Sequence, residues 1–267
     1  MTDEEWRQTE TAQSITAFMA VMLSVLMNLI GGEIGGAFTR LASADVKTDI
    51  EKQIESAGLP PFLKELVDPD RDEAMRGGMY LISILSALEA CIEELVKAAI
   101  RANPAITDSK PYEKLKISGA GYFGSMDDRI EKLYRAIEEA VGPKAGINRY
   151  EDILKFVGLD GAVPEGFGEV LFNAKLIRNA WAHSAGRADA RFAIDAPHLR
   201  WKQGDLIKLT LDETGQYITA VMLYGMVIAN RHRAENGLPP VPAVTGKAAN
   251  SDLGRAYTAL YPDSNQD

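Results

Sequence analysis

The chain is 267 residues long, 46% hydrophobic and 25% charged. These are the fractions of a globular protein, and they exclude wholesale disorder and collagen-like repeats. The net charge of −9 excludes a bulk polyanion binder, and the single Cys91 excludes an internal disulfide and any cysteine-based zinc site. With only three histidines, His183, His198 and His232, no metal cage is expected. A lone Cys91 in an apolar helical stretch fits a reducing, cytoplasmic setting. The length suits one large domain or two small ones, and the low aromatic content of 7% leans towards helix.

In chain order, the first element is an uncharged run from Thr11 to Gly32, almost wholly apolar from Ala17 to Ile30. A membrane span needs about 20 apolar residues. This run barely reaches that, is diluted by Gln13, Ser14, Ser24 and Asn28, and follows acidic Asp3, Glu4 and Glu5 rather than a basic flank. A buried helix is the favoured reading, with a membrane anchor as the alternative. Gly31-Gly32 and Gly35-Gly36 should break it, and lack the strand–helix context of a phosphate loop. A short polar helix is predicted over 43–56 and an acidic connector over 62–78.

The strongest helical signal runs from Met79 to Arg101, with Leu81, Leu85, Leu88, Ile92, Leu95 and Ala99 spaced at three and four. Glu93 and Lys97 can pair one turn apart. The stretch 105–126 reads as loop. Asp127 or Asp128 then caps a helix with the stripe Ile130, Leu133, Ile137 and Val141, closed by Gly142-Pro143. A short helix follows over about 150–157, then a connector and a helix from Phe167 to His183. Phe192 and Ile194, then Ile207, Leu209 and Leu211, alternate with polar neighbours and predict two short strands of one hairpin. Asp212 and Glu213 open a last long helix to about Asn230, where Arg231, His232 and Arg233 suit its dipole. Leu238 to Pro242 reads as linker, and the tail holds at most one short helix. The fold class is therefore mainly α with a small β-hairpin near the C-terminal part.

Charge is uneven along this order. Residues 1–75 carry 6 Lys/Arg against 14 Asp/Glu, a local −8, whereas 173–202 carry 6 against 2, a local +4. A basic patch on an acidic protein suggests a site for one anionic ligand, against chance clustering in a loop-rich stretch.

The basic patch overlaps the helix 167–183. At about 100° per residue, Phe167, Val170, Ala174, Ile177 and Trp181 share one side, and Phe172, Leu176, Asn179 and His183 share the other. Two opposed apolar faces imply one in the core and one meeting another helix, conceivably of a second chain. Asn179 and His183 are a polar pair at the end of an apolar stripe, where they need hydrogen bonds or water. Arg178 points about 140° away from His183 on an ideal wheel.

The string Arg178-Asn179-Ala180-Trp181-Ala182-His183, R-N-x-x-x-H, resembles the signature of HEPN-domain ribonucleases. Ser184 to Asp189 looks like the turn that follows it in bacterial members, Ser86 to Ala90 is similar to part of the first core helix, and Gly204 to Leu209 with the final helix resembles the usual ending. The resemblance covers roughly 79–233, with a low-similarity insert at about 102–165. It implies a HEPN-like helical bundle over 79–235, an N-terminal helical extension over 1–78, and a linker and tail over 236–267.

It further implies a homodimer through the motif helix, with two motifs forming one RNA cleft, and metal-independent, cofactor-free cleavage by 2′-OH attack. The products would be a 2′,3′-cyclic phosphate and a 5′-OH. Imidazole titrates near neutrality, so a histidine in the place of His183 suits a base or acid. Arg178 would hold the phosphate, and Asn179 would orient His183 or bond the phosphate. Glu89 is the candidate supporting acid, Lys175, Arg187 and Arg191 are candidates for RNA backbone binding, and Trp181 is expected in packing. A toxin or antiphage effector with an antitoxin or defence partner fits this class. The rival readings are a non-catalytic RNA- or protein-binding module and a membrane-tethered effector.

Overall fold

The computed structural model describes residues 1–29, 69–115, 124–143, 146–241 and 249–262. The helix predicted over 43–56 and the paired glycines of 31–36 lie outside the described residues. Nine α-helices are described: α1 Asp3–Arg7, α2 Glu10–Leu29, α3 Pro69–Ala102, α4 Met126–Val141, α5 Ile147–Leu154, α6 Phe167–His183, α7 Ala190–Asp195, α8 Leu211–Glu235 and α9 Asp252–Leu260.

The central helix is α3, which packs chiefly on α6 and α8 and also meets α4 and α5. Its predicted stripe is the core: Leu81, Leu85, Leu88, Ile92 and Leu95 are all buried, and Ala99 is half-buried. The helix starts ten residues before the predicted Met79, inside the expected connector, so the 78/79 boundary falls within it. Gly77 and Gly78 lie inside α3 although glycine is a poor helix former. A Cβ on Gly78 would stand 2.3 Å from Cδ2 of Trp181, so glycine here lets α3 and α6 approach.

The helix α2 lays Ala12, Ile15, Phe18, Met22 and Leu29 into the same core. Phe18 sits on Gly225 of α8, where a Cβ would be 2.2 Å from its Cε1. The Cys91 thiol on α3 points at the Ser14 carbonyl at 3.7 Å, and burial pushes its pKa up to about 12. The other face of α2 leaves Val21, Leu23 and Met27 exposed. By length and composition α2 could cross a membrane, with a mean hydropathy of 1.6 and 28% of its apolar window buried.

The short α1 clasps the far end of α8. Trp6 is buried, donates from Nε1 to His232 Nδ1 at 3.0 Å, and lies under the Arg233 guanidinium at 5.0 Å. Arg233 also pairs with Asp3 at 2.8 Å. Thus His232, expected as a dipole cation, is a packed acceptor, and burial lowers its pKa towards the neutral form. The helix α8 runs five residues past the predicted Asn230 because these contacts, and those of Arg231 with Glu151 and the carbonyls of Leu159 and Ala162, support its last turn.

Three further expectations are corrected. The stretch expected as loop after α3 contains short 3-10 turns at Pro104–Asp108 and Tyr112–Lys114, and α4 is capped by Ser125, with Asp128 completing the reciprocal pair. No strand occurs among the described residues. Phe192 and Ile194 lie on α7, capped by Asp189, and Ile194 is 76% exposed, so their alternation did not mark a buried face. What remains of the hairpin is one antiparallel bridge, Arg187 to Leu206.

Candidate functional site

The bounds of α6 match the expected Phe167–His183. Phe167, Leu171, Ala174, Ile177 and Ala180 are buried and fix its rotation on the core. The chain leaves the helix sharply. Ser184 and Gly186 both donate to the Ala180 carbonyl, at 2.8 and 3.1 Å, while Ala185 and Gly186 take positive φ of 50° and 77°. The bridge to Leu206 then fixes the exit, with Ile207 donating to the Gly186 carbonyl at 2.8 Å.

Trp181 is half-buried, as expected of a packing residue, between Gly78 and Gly186. A Cβ on Gly186 would lie 2.6 Å from its ring. Its buried indole nitrogen has no hydrogen-bond partner. The ring therefore sets the C-terminal turn of α6 by shape, and the residues on that turn inherit their direction from it.

His183 is exposed. It faces a groove of about 450 Å³ together with Asn179, Phe172, Leu176 and Arg191. The second apolar face of α6, expected to meet another helix, lines this open groove instead. Arg178 turns the other way, as the wheel predicts. Its Nη2 donates to Glu89 Oε2 at 2.8 Å and its Nη1 to Asn179 Oδ1 at 3.2 Å. The candidate supporting acid on α3 thus meets the motif directly, and Asn179 bonds Arg178 rather than His183.

The Arg178 side opens on a second cavity, of about 430 Å³, between α3, α4, α5 and α6. Tyr150 lines it and donates to Glu89 Oε1 at 3.4 Å; burial, then the Glu89 charge, push its phenol pKa up. Lys175 and Arg149 line both cavities and join them. Burial lowers the Lys175 pKa, Glu89 opposes this, and Arg149 and Arg178 add to it.

The remaining candidates divide. Arg191 lines the groove but is 89% exposed and pairs with Asp195 at 3.3 Å. Arg187 lines neither cavity and donates to the Gly204 carbonyl at 2.9 Å. Asp189 is spent on the cap of α7, where the Phe192 amide holds its pKa down. His198 bonds the buried Asn173 at 2.9 Å, away from both cavities.

Arg149 and Tyr150 were missed by sequence reasoning. They sit in the stretch that lacks any motif, and only the packing of α5 on α6 brings them to the site. No group of three or more His, Cys, Asp and Glu side chains able to hold a metal occurs among the described residues. Comparisons with protein-family models, curated proteins and solved structures gave no match.

Proposed function

We propose that the protein is a metal-independent endoribonuclease of HEPN type, acting as a toxin or antiphage effector. The observation that carries this reading is the R-N-x-x-x-H string at the C-terminal turn of α6, with His183 exposed in a groove and Asn179 beside it. In the reaction His183 takes the proton of a ribose 2′-OH. The 2′ oxygen bonds to the adjacent phosphorus, the bond from phosphorus to the 5′ oxygen breaks, and a proton returns to that oxygen. Only RNA supplies this nucleophile.

Within one chain Arg178 and His183 open on neighbouring cavities rather than one. In this reading the chain pairs into a homodimer through the motif helix, with the two motifs forming one RNA cleft. Glu89 serves here as a positioning residue that holds the Arg178 fork, and a bidentate guanidinium suits a phosphate gaining charge.

The test is digestion of RNA in EDTA with analysis of the ends. Wild type yields 2′,3′-cyclic phosphate and 5′-OH ends, and His183→Ala yields none. Cleavage that persists in His183→Ala, or that needs a divalent metal, refutes the mechanism. A second reading is a non-catalytic RNA- or protein-binding module. The engagement of Arg178 by Glu89, away from the His183 groove, favours it. Equal RNA affinity of wild type and Arg178→Ala, with cleavage by neither, would select that module.

A further inference from the structure

Where the two cavities meet, one cation is left without a direct partner. Arg149 pairs with Glu138 at 2.7 Å, Arg178 with Glu89 at 2.8 Å, and Glu93 is engaged by Lys97. Lys175 stands half-buried in the field of both arginines with no hydrogen-bond or ion-pair partner among the described residues. A partly desolvated ammonium that makes no direct contact with a carboxylate is costly; Arg149 and Arg178 add to that cost, and the Glu89 charge offsets part of it. An anion seated there would relieve it.

Arg149 is built to share such an anion. It is 21% exposed and held by two bonds, Nη1 to the Gly142 carbonyl at 2.8 Å and Nη2 to Glu138. A guanidinium has five N–H donors, so others remain. The position is at the junction of the groove containing His183 and the cavity containing Arg178. A strand leaving the groove towards that cavity has to pass it.

We infer that Lys175 and Arg149 form a subsite for a backbone phosphate of bound RNA, flanking the phosphate on which His183 acts. This rests on the ribonuclease reading and adds a binding position to it. A single-stranded ligand fits better than a duplex, because the subsite lies in a cavity and not on an open face.

The test is fluorescence anisotropy with a 2′-O-methyl RNA oligonucleotide, which lacks the attacking hydroxyl and stays intact, titrated at several salt concentrations. Lys175→Gln and Arg149→Gln should each weaken binding about tenfold and flatten the log–log salt slope by about 0.7. Lys175→Arg should restore both, which a role in folding alone would not predict.

Wild-type affinity and slope in Lys175→Gln would overturn the subsite, as would failure of the wild type to bind the oligonucleotide. A Lys175-dependent response to inorganic phosphate alone would also overturn it, because the site would then serve a small anion. Lys175-dependent binding of RNA that is never cleaved would leave the subsite standing and remove the nuclease. Cleavage with Lys175-independent binding would do the reverse.

Discussion

Replacing Gly78 by alanine tests whether Trp181 sets the approach of α3 to α6. An added Cβ would fall 2.3, 2.4 and 2.6 Å from three atoms of the Trp181 ring. Carbon atoms settle at about 3.5–4.0 Å, so ring and helix must part by more than about 1 Å. Retreat of the ring is blocked by Gly186 on its far edge. Overpacking of this kind costs about 1–3 kcal/mol, and the blocked ring places it near the upper end. Alanine returns about 1 kcal/mol through helix propensity, leaving a net loss of about 2 kcal/mol. The control is Gly215→Ala on α8, where an added Cβ meets nothing within 4 Å and the propensity gain of up to about 1 kcal/mol should appear alone. Urea denaturation with unchanged m-values measures both. If Gly78→Ala proves as stable as wild type or more so, while Gly215→Ala gains, the wedge argument is wrong.

Two other outcomes follow from the packing of the N-terminal helices. Phe18→Ala should cost about 3 kcal/mol and render α2 sensitive to limited proteolysis, since Phe18 fills the approach to Gly225; unchanged stability would show that α2 does not depend on it. The half-buried His232 has a pKa below its ordinary 6.5, so the unfolded chain binds more protons in that window. Its contribution is therefore complete above pH 6.5 and lost as pH falls through the folded value. Denaturation midpoints across this range should decline towards acid in wild type, and less so in His232→Asn, whose carbonyl can still accept from Trp6.

The long helices were legible because local signals agreed with tertiary need. The stripe of α3 and the bounds of α6 came from spacing, the glycine exit and the polar end of an apolar run. The failures have physical causes too. Gly78 is a poor helix former taken alone, yet close approach of the Trp181 indole demands it within α3. Phe192 and Ile194 alternate, yet one is buried and the other points outward on a single helical turn begun by Asp189. At the site, the opposition of Arg178 and His183 was visible on a wheel, and the Glu89 contact was anticipated from α3. The junction of Arg149 with Lys175 was not, because it depends on how α5 lies across α6 and on no pattern within either.

Trp181 lies two residues before His183, braced by a backbone without side chains on either edge. The chemistry-bearing surface is thus governed from the interior. A methyl group gained at Gly78 or Gly186, neither of which lines the His183 groove, would re-aim the imidazole from behind.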